Sequence, residues 1–284
     1  MSNKNKTVLI TGGAGFIGSH TAEIFLKKKF NVIIFDNLSG GNLVNIKHLN
    51  RNKNFRFFKV DLLDIKKLKK FKKIIDNCNY IIHFAGIGDI VPSISNPVKY
   101  FQNNVQGTIN ILNACNKKKL LKFVYAASSS CYGKANAPTD EKHEINPLYP
   151  YAMSKYQAEQ ICFHWGKVYK ISVNSIRIFN AYGTRSRTTG AYGAVFGIFL
   201  KQILSNKPLT VVKNGKQKRD FVYVTDVAEA FFKAATTKKN NEIWNLGSGK
   251  PKSINYLIKL LKPKKVVWIP KRPGEPKVTH ANIS

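Results

Sequence analysis

Thr11-Gly12-Gly13-Ala14-Gly15-Phe16-Ile17-Gly18 follows the apolar run Val8-Leu9-Ile10 and opens into His20-Thr21-Ala22-Glu23-Ile24-Phe25-Leu26. The order is strand, glycine turn, helix. Glycines at 12, 15 and 18 permit a tight turn with positive φ, close approach of backbone to a phosphate, and close packing of helix on strand. The start of such a helix offers unpaired N–H groups to a diphosphate. Glycine patterns of this kind also occur in turns that bind nothing, so context decides. A second apolar run, Asn31-Val32-Ile33-Ile34-Phe35, ends in Asp36, eighteen residues past Gly18. That is close to the ~20 expected for a carboxylate holding an adenosine ribose. Together these features predict a dinucleotide site built from Gly12, Gly15, Phe16, Ile17, Gly18 and Asp36. The next loop, Asn37-Leu38-Ser39-Gly40-Gly41, has no arginine to meet a 2′-phosphate, which favours NAD over NADP.

Further apolar runs repeat the theme. Phe55 to Val60 ends in Asp61-Leu62, Tyr80 to Phe84 in Ala85-Gly86, and Phe123 to Ala127 in Ser128. Helical patterns at Ile65 to Ile75 and Val98 to Asn116 separate them. Strands alternating with amphipathic helices predict right-handed crossovers and an α/β, Rossmann-like, doubly wound parallel sheet, whose strand ends share one crevice. A loop rich in proline (Pro138, Pro147, Pro150) leads to a helix from Tyr151 to about Tyr169 and a sixth strand from Ser172 to Ile178. From Asn180 on, the elements shorten. They comprise a glycine-spaced segment from Gly190 to Gly197, a helix ending at Leu204, strands at 209–212, 221–224, 243–246 and 266–269, and helices at 226–235 and 254–261. We divide the chain into a dinucleotide-binding domain, 1–179, and a smaller, interleaved substrate lobe, 180–284.

A chain of 284 residues with 43% apolar content can bury a real core. No apolar run reaches the roughly 18 residues of a membrane span, and the N-terminus lacks the apolar segment of a signal peptide, so a cytoplasmic location is expected. Cys78, Cys115, Cys131 and Cys162 have no metal-ligand spacing and read as reduced thiols, and the six histidines are dispersed. The formal charge of +32 would attract polyanions, but only seven of the 47 basic residues are arginine. The lysines spread along the whole chain. Lys66-Lys67, Lys69-Lys70 and Lys72-Lys73 alternate with Leu68, Phe71 and Ile74 as on a solvated helix face. Nonspecific polyanion binding is the expected consequence, rather than a nucleic-acid site.

Tyr151 and Lys155 stand four apart at the start of a helix, on one face and roughly 6 Å apart at Cβ. A cation there favours phenolate and would lower a tyrosine pKa from about 10 toward neutrality, making a base for an alcohol proton. Ser128 ends a strand on the same crevice and supplies a hydroxyl for a sugar oxygen. Alone, either feature is commonplace.

Taken together, the residues resemble the extended short-chain dehydrogenase/reductases, and within them the nucleotide-sugar 4-epimerases of the UDP-glucose 4-epimerase type. The likeness runs from Val8 to the last residue. It rests on the glycine loop, His83-Phe84-Ala85-Gly86, Asn103-Asn104-Val105-Gln106-Gly107-Thr108, Ser128-Ser129-Ser130-Cys131-Tyr132-Gly133, the Tyr151/Lys155 pair, Arg177-Ile178-Phe179-Asn180 and Arg272-Pro273-Gly274-Glu275. The resemblance implies that Asp36, Asn37, Asp61, Leu62, Phe84, Ala85, Gly86, Asn103, Tyr151 and Lys155 surround NAD. It implies that Ser128 and Tyr151 act on the sugar beside Ser129 and Ser130, and that Asn180, Arg219 and Arg272 grip the nucleotide diphosphate. Tyr151 would take the 4-hydroxyl proton while C4 gives hydride to the nicotinamide, and the 4-keto sugar would turn over before hydride returns. A homodimer through the helix near Tyr151 and the one from Val98 is implied as well.

Relatives of the same fold eliminate water or carbon dioxide or reduce a 4-keto sugar, and some atypical ones bind RNA without catalysis. The dehydratases carry Asp-Glu where this chain has Ser129-Ser130, and the Ser/Tyr/Lys set is intact, so the resemblance favours epimerisation. Thr279 matches a position that is either a bulky tyrosine or a small residue, and a small one leaves space for an N-acetyl group. Gly88 replaces a lysine found in some epimerases. The family chain usually runs a few tens of residues past the segment matching Thr279 to Ser284, so a fragment or a shortened last lobe is expected.

Overall fold

The apolar runs of the first half pair side by side, and the stretches between them cross over as helices. The computed structural model describes residues 6–188, 195–270 and 276–284. Its first part runs β1 (Thr7–Thr11), α1 (Phe16–Lys27), β2 (Asn31–Asp36), β3 (Phe55–Lys59), α2 (Ile65–Lys70), α3 (Lys72–Asp76), β4 (Tyr80–His83), α4 (Ile90–Ser95), α5 (Pro97–Phe101), α6 (Gly107–Ala114), β5 (Lys122–Ser128), α7 (Pro150–Tyr169) and β6 (Val173–Ile178). Shorter elements follow: β7 (Asn180–Tyr182), α8 (Val195–Leu204), β8 (Leu209–Val212), β9 (Lys218–Arg219), β10 (Phe221–Tyr223), α9 (Val224–Thr236), β11 (Ile243–Leu246), β12 (Lys252–Ser253), α10 (Ile254–Leu261) and β13 (Val266–Ile269). Of the glycine-spaced segment, residues 189–194 lie outside the described residues.

Seven strands form one parallel sheet in the order β11-β6-β5-β4-β1-β2-β3. The winding direction reverses between β1 and β4, which leaves a crevice at their carboxyl ends. This is the doubly wound Rossmann-like architecture. Alternation along the strands feeds two cores: Val8 and Ile10 pack with Phe25 of α1 and Phe231 of α9, while Leu9 packs on the other face with Leu112 of α6 and Cys162 of α7. Both α9 and β11, although they follow residue 180, belong to these layers. A separate small core joins Phe199, Leu209, Val211, Ile254 and Leu257. Among the described residues no helix is long and apolar enough to cross a membrane.

Two helices expected to be continuous are interrupted. The pattern from Ile65 to Ile75 breaks at Phe71, whose ring turns inward against Phe35 and Phe58, 5.3 and 5.0 Å away between centroids. The pattern from Val98 to Asn116 contains a π turn at Gln102–Gln106. The wider turn seats Asn104 in the interior, where its amide accepts from Ile87 N (2.7 Å) and donates to Ile87 O (3.1 Å) and Ser154 Oγ (2.9 Å). Such insertions recur where a helix is shaped for a site.

Polar side chains inside the molecule tie these elements in place. Glu159 on α7 and Arg177 on β6 are almost fully buried and form a two-pronged ion pair, with Arg177 Nη2 2.7 Å from Glu159 Oε2. Ser175 Oγ donates to the same carboxylate, and Arg177 Nη1 donates to Tyr132 OH. This network holds the helix that carries Tyr151 and Lys155 against the sheet.

His83 locks β4 to its neighbours. Thr108 Oγ1 donates to Asn104 O (2.6 Å), so it accepts from His83 Nε2–H (2.9 Å), and His83 Nδ1 accepts from Thr11 Oγ1 (2.6 Å). Desolvation, helped by the Lys155 charge, pushes the imidazole down to about 3 from 6.5. The unfolded chain therefore binds a proton the native chain refuses between those values, and stability falls as pH drops through this window. Replacing His83 with Gln should flatten urea-unfolding stability there by up to about 1.4 kcal/mol per pH unit relative to the parent chain.

Candidate active site

The carboxyl ends of β1, β2, β4 and β5 open on a cavity of about 460 Å³. All the residues selected from the sequence line it, with one exception: Arg272 lies outside the described residues.

At one end, backbone does the shaping. Gly12 has φ +68, and its N–H donates to Phe35 O at 2.8 Å. A Cβ on Gly12 would stand 2.7 Å from Ala85 N, and one on Gly18 would run into the Gly12 carbonyl oxygen. Only glycine therefore lets the turn after β1 touch the turn after β4 while α1 starts directly above it. Gly15 caps α1 without any side-chain hydrogen bond, which leaves the N–H groups of the first turn beside the cavity.

Asp36, at the end of β2, accepts from Ala14 N (3.0 Å) and Leu38 N (2.8 Å). Burial raises its pKa, against the pull of those two bonds. Asp61 is held similarly by Leu63 N (2.8 Å) and Asn37 Nδ2 (2.9 Å), and Asn103 reaches the cavity from the π turn. A glycine bed that any Cβ would fill, an uncapped helix start and a carboxylate closing β2 suit NAD, which Gly12 to Gly18, Asp36 and Asp61 would hold.

At the other end, Ser128 terminates β5. Its Oγ accepts from Ser130 N (3.2 Å) and donates to Ser130 Oγ (3.0 Å), and it lines the cavity together with the Tyr151 phenol. Tyr151 and Lys155 rise from the first turns of α7, whose first residue, Pro150, needs no backbone donor. The expected drop in the Tyr151 pKa is not produced by the chain alone. Desolvation pushes the phenol above the usual tyrosine range, and the nearby Ser128 hydroxyl only partly offsets it. The Lys155 ammonium lies over the Tyr125 ring, 4.4 Å from its centroid, and burial lowers its pKa to about 8.

The remaining wall comes from the later part of the chain. Arg219 is buried and donates through Nη1 to Lys218 O (2.8 Å) and Pro276 O (2.9 Å). Thr279 Oγ1 donates to Asn180 Oδ1 (2.8 Å) and accepts from Asp220 N (3.2 Å). Behind them the buried Asp220 carboxylate accepts from Ser248 N, Ser248 Oγ, Gly249 N and Ala281 N at 2.6–3.1 Å. Asp89 and Arg187 also face the cavity and pair at 3.3 Å. Sequence reasoning missed them because the pair spans 98 residues and neither belongs to a motif.

Fold and cavity together define a dinucleotide-dependent enzyme of the extended short-chain dehydrogenase/reductase class. The pattern of the NAD dependent epimerase/dehydratase family matches residues 8–247, and the chain belongs to that family. It is 33% identical over 288 residues to the UDP-glucuronate 4-epimerase of Thermodesulfobacterium geofontis, covering 97% of this chain and 87% of that one. Among solved structures, the UDP-N-acetylglucosamine 4-epimerase of Methanobrevibacter ruminantium M1, in complex with UDP-N-acetylmuramic acid, superposes with a TM-score of 0.91 at 32% identity over 99% of this chain and 90% of that chain. The UDP-glucuronic acid 4-epimerase of Bacillus cereus, in complex with UDP-glucuronic acid and NAD, gives 0.88 at 33% identity over 98% and 90%.

The Lys155 ammonium is present below about pH 8 and lost above it. Affinity of the NAD-free chain for NAD, followed by calorimetry, should weaken as pH rises through that value. Lys155→Met should lose roughly tenfold or more in affinity, together with the pH dependence.

Proposed function

We propose that the chain is an NAD-dependent nucleotide-sugar 4-epimerase, taking a UDP-hexose or UDP-N-acetylhexosamine through a transient 4-keto sugar. The observation that carries this reading is the convergence of Ser128, Tyr151 and Lys155 on the wall of the same cavity that the glycine turn lines, with no carboxylate at positions 129 and 130. Bound NAD supplies the hydride acceptor for C4 and a positive charge that favours the Tyr151 phenolate. Tyr151 removes and later returns the 4-hydroxyl proton, and Ser128 donates a hydrogen bond to the same oxygen. Serines at 129 and 130 offer no base for the proton abstraction that elimination needs.

Inversion requires the sugar to turn while the nucleotide stays fixed. Arg219 and Asn180 serve as that anchor, remote from the reacting carbon, so binding energy retains the keto sugar while it rotates. The small Thr279 leaves space for an acetamido group. Residues 180–284 supply this nucleotide side and residues 1–179 the dinucleotide side. Exposed Ile94, Val98 and Met153, on α4, α5 and α7, support a homodimer through that helical face. The four unpaired, buried thiols are in keeping with a cytoplasmic setting.

A panel of UDP-, dTDP- and GDP-hexoses with NMR of the products tests the reading, because inversion at C4, loss of water and loss of carbon dioxide give different spectra. Inversion of a UDP-sugar is expected, and Tyr151→Phe should cut kcat by ~10²–10⁴ while NAD stays bound. Release of water or carbon dioxide, or unimpaired turnover by Tyr151→Phe, would overturn it. Thr279→Tyr should abolish turnover of UDP-N-acetylhexosamine and spare UDP-hexose; equal activity on both would remove the role given to Thr279.

A further inference from the structure

Asp89 lies at the end of the turn after β4, directly before α4, with φ +84. That left-handed conformation is unfavourable for a residue with a Cβ, even one as tolerant as aspartate, and glycine stands unused one position earlier. The residue therefore keeps a carboxylate where the backbone prefers none. Its Oδ2 is 3.3 Å from Arg187 Nη1, reached from the segment after β7, and both side chains line the cavity that holds Tyr151.

Both partners are held by their surroundings. A Cβ on Gly40 would collide with the Arg187 guanidinium, so that side chain lies against the turn after β2 as well, and Gly197 of α8 packs on the Arg187 carbonyl. Asp89 is partly buried, and its negative charge disfavours ionisation of both Tyr100 and Tyr151, which places it within electrostatic reach of the reacting phenol. Tyr100 closes the same corner, its ring edge-on to Tyr151 at 6.3 Å and its hydroxyl donating to Gly88 O. A Cβ on Gly88, the residue before Asp89, would meet nothing within 4 Å beyond its chain neighbours, and Gly88 also lines the cavity.

An arginine lining a ligand cavity would ordinarily recruit an anion from the ligand, because a guanidinium fork matches a carboxylate. Here the chain supplies the carboxylate itself. We propose that Asp89 is a specificity-determining residue, its carboxylate occupying Arg187 so that the sugar subsite accepts neutral hexosyl groups and disfavours those carrying a carboxylate. A uronate entering beside Tyr151 would have to displace Asp89 from the guanidinium or sit against it as a like charge. This rests on the nucleotide-sugar reading above and narrows the substrate class within it.

The test uses the NAD-loaded chain, UDP-glucose and UDP-glucuronate, with calorimetric binding read alongside turnover. The parent chain should prefer UDP-glucose in both. Asp89→Asn should shift the glucuronate-to-glucose ratio toward glucuronate by roughly tenfold or more, the size of one charge-assisted contact. Adding Arg187→Leu should cancel that gain, and Asp89→Glu should restore the parent preference. If Asp89 merely stabilises its turn, Asp89→Asn weakens both ligands alike, and an unchanged ratio overturns the proposal. A parent chain that favours glucuronate also overturns it. Binding discrimination of the expected kind without any C4 inversion would defeat the epimerase reading and leave this one standing, whereas absence of binding by either ligand defeats both.

Discussion

Everything in this molecule is placed by the contact of two turns, the one leaving β1 at Gly12 and the one leaving β4 at Ala85. A methyl group on Gly12 would sit inside van der Waals distance of the Ala85 amide, so the sheet reverses its winding there only because the side chain is absent. The close approach fixes the start of α1, and with it the donors that face the cavity. His83, bonded on one side to Thr11 and on the other to Thr108, holds the two strands beneath that contact in register.

The reactive end shows how burial and charge are balanced against one another. Desolvation drives Tyr151 toward the neutral phenol and Lys155 toward the neutral amine, each away from its charged form. The chain alone sets only the nearby Ser128 hydroxyl against this burial for Tyr151. Ionising the phenol in this setting therefore calls for a positive charge beyond what the folded chain sets against its burial.

Much of this was legible in the sequence because the features are local. Gly12, Gly15, Gly18 and Asp36 report a strand-turn-helix-strand unit within thirty residues, and the Tyr151/Lys155 spacing follows from helical pitch. What escaped is long-range. The break at Phe71 depends on rings from β2 and β3, the π turn on the burial of Asn104, and the pairing of Asp89 with Arg187 on segments that meet only once the chain has folded. The phenol pKa was misjudged for a related reason: helical spacing places a cation nearby but says nothing of desolvation, which here dominates.

Asp220 gathers four donors from residues 248, 249 and 281 onto one buried carboxylate. Separating those segments would strip the carboxylate of every bond at once, at a cost of several kcal/mol. Across the cavity, Asp89 and Arg187 are joined by a single ion pair at 3.3 Å between partly solvated groups, worth about 1 kcal/mol or less. The two walls of the cavity thus answer differently to a single change: losing the Asp220 carboxylate would free three separate backbone positions at once, whereas losing the Asp89–Arg187 pair would free one.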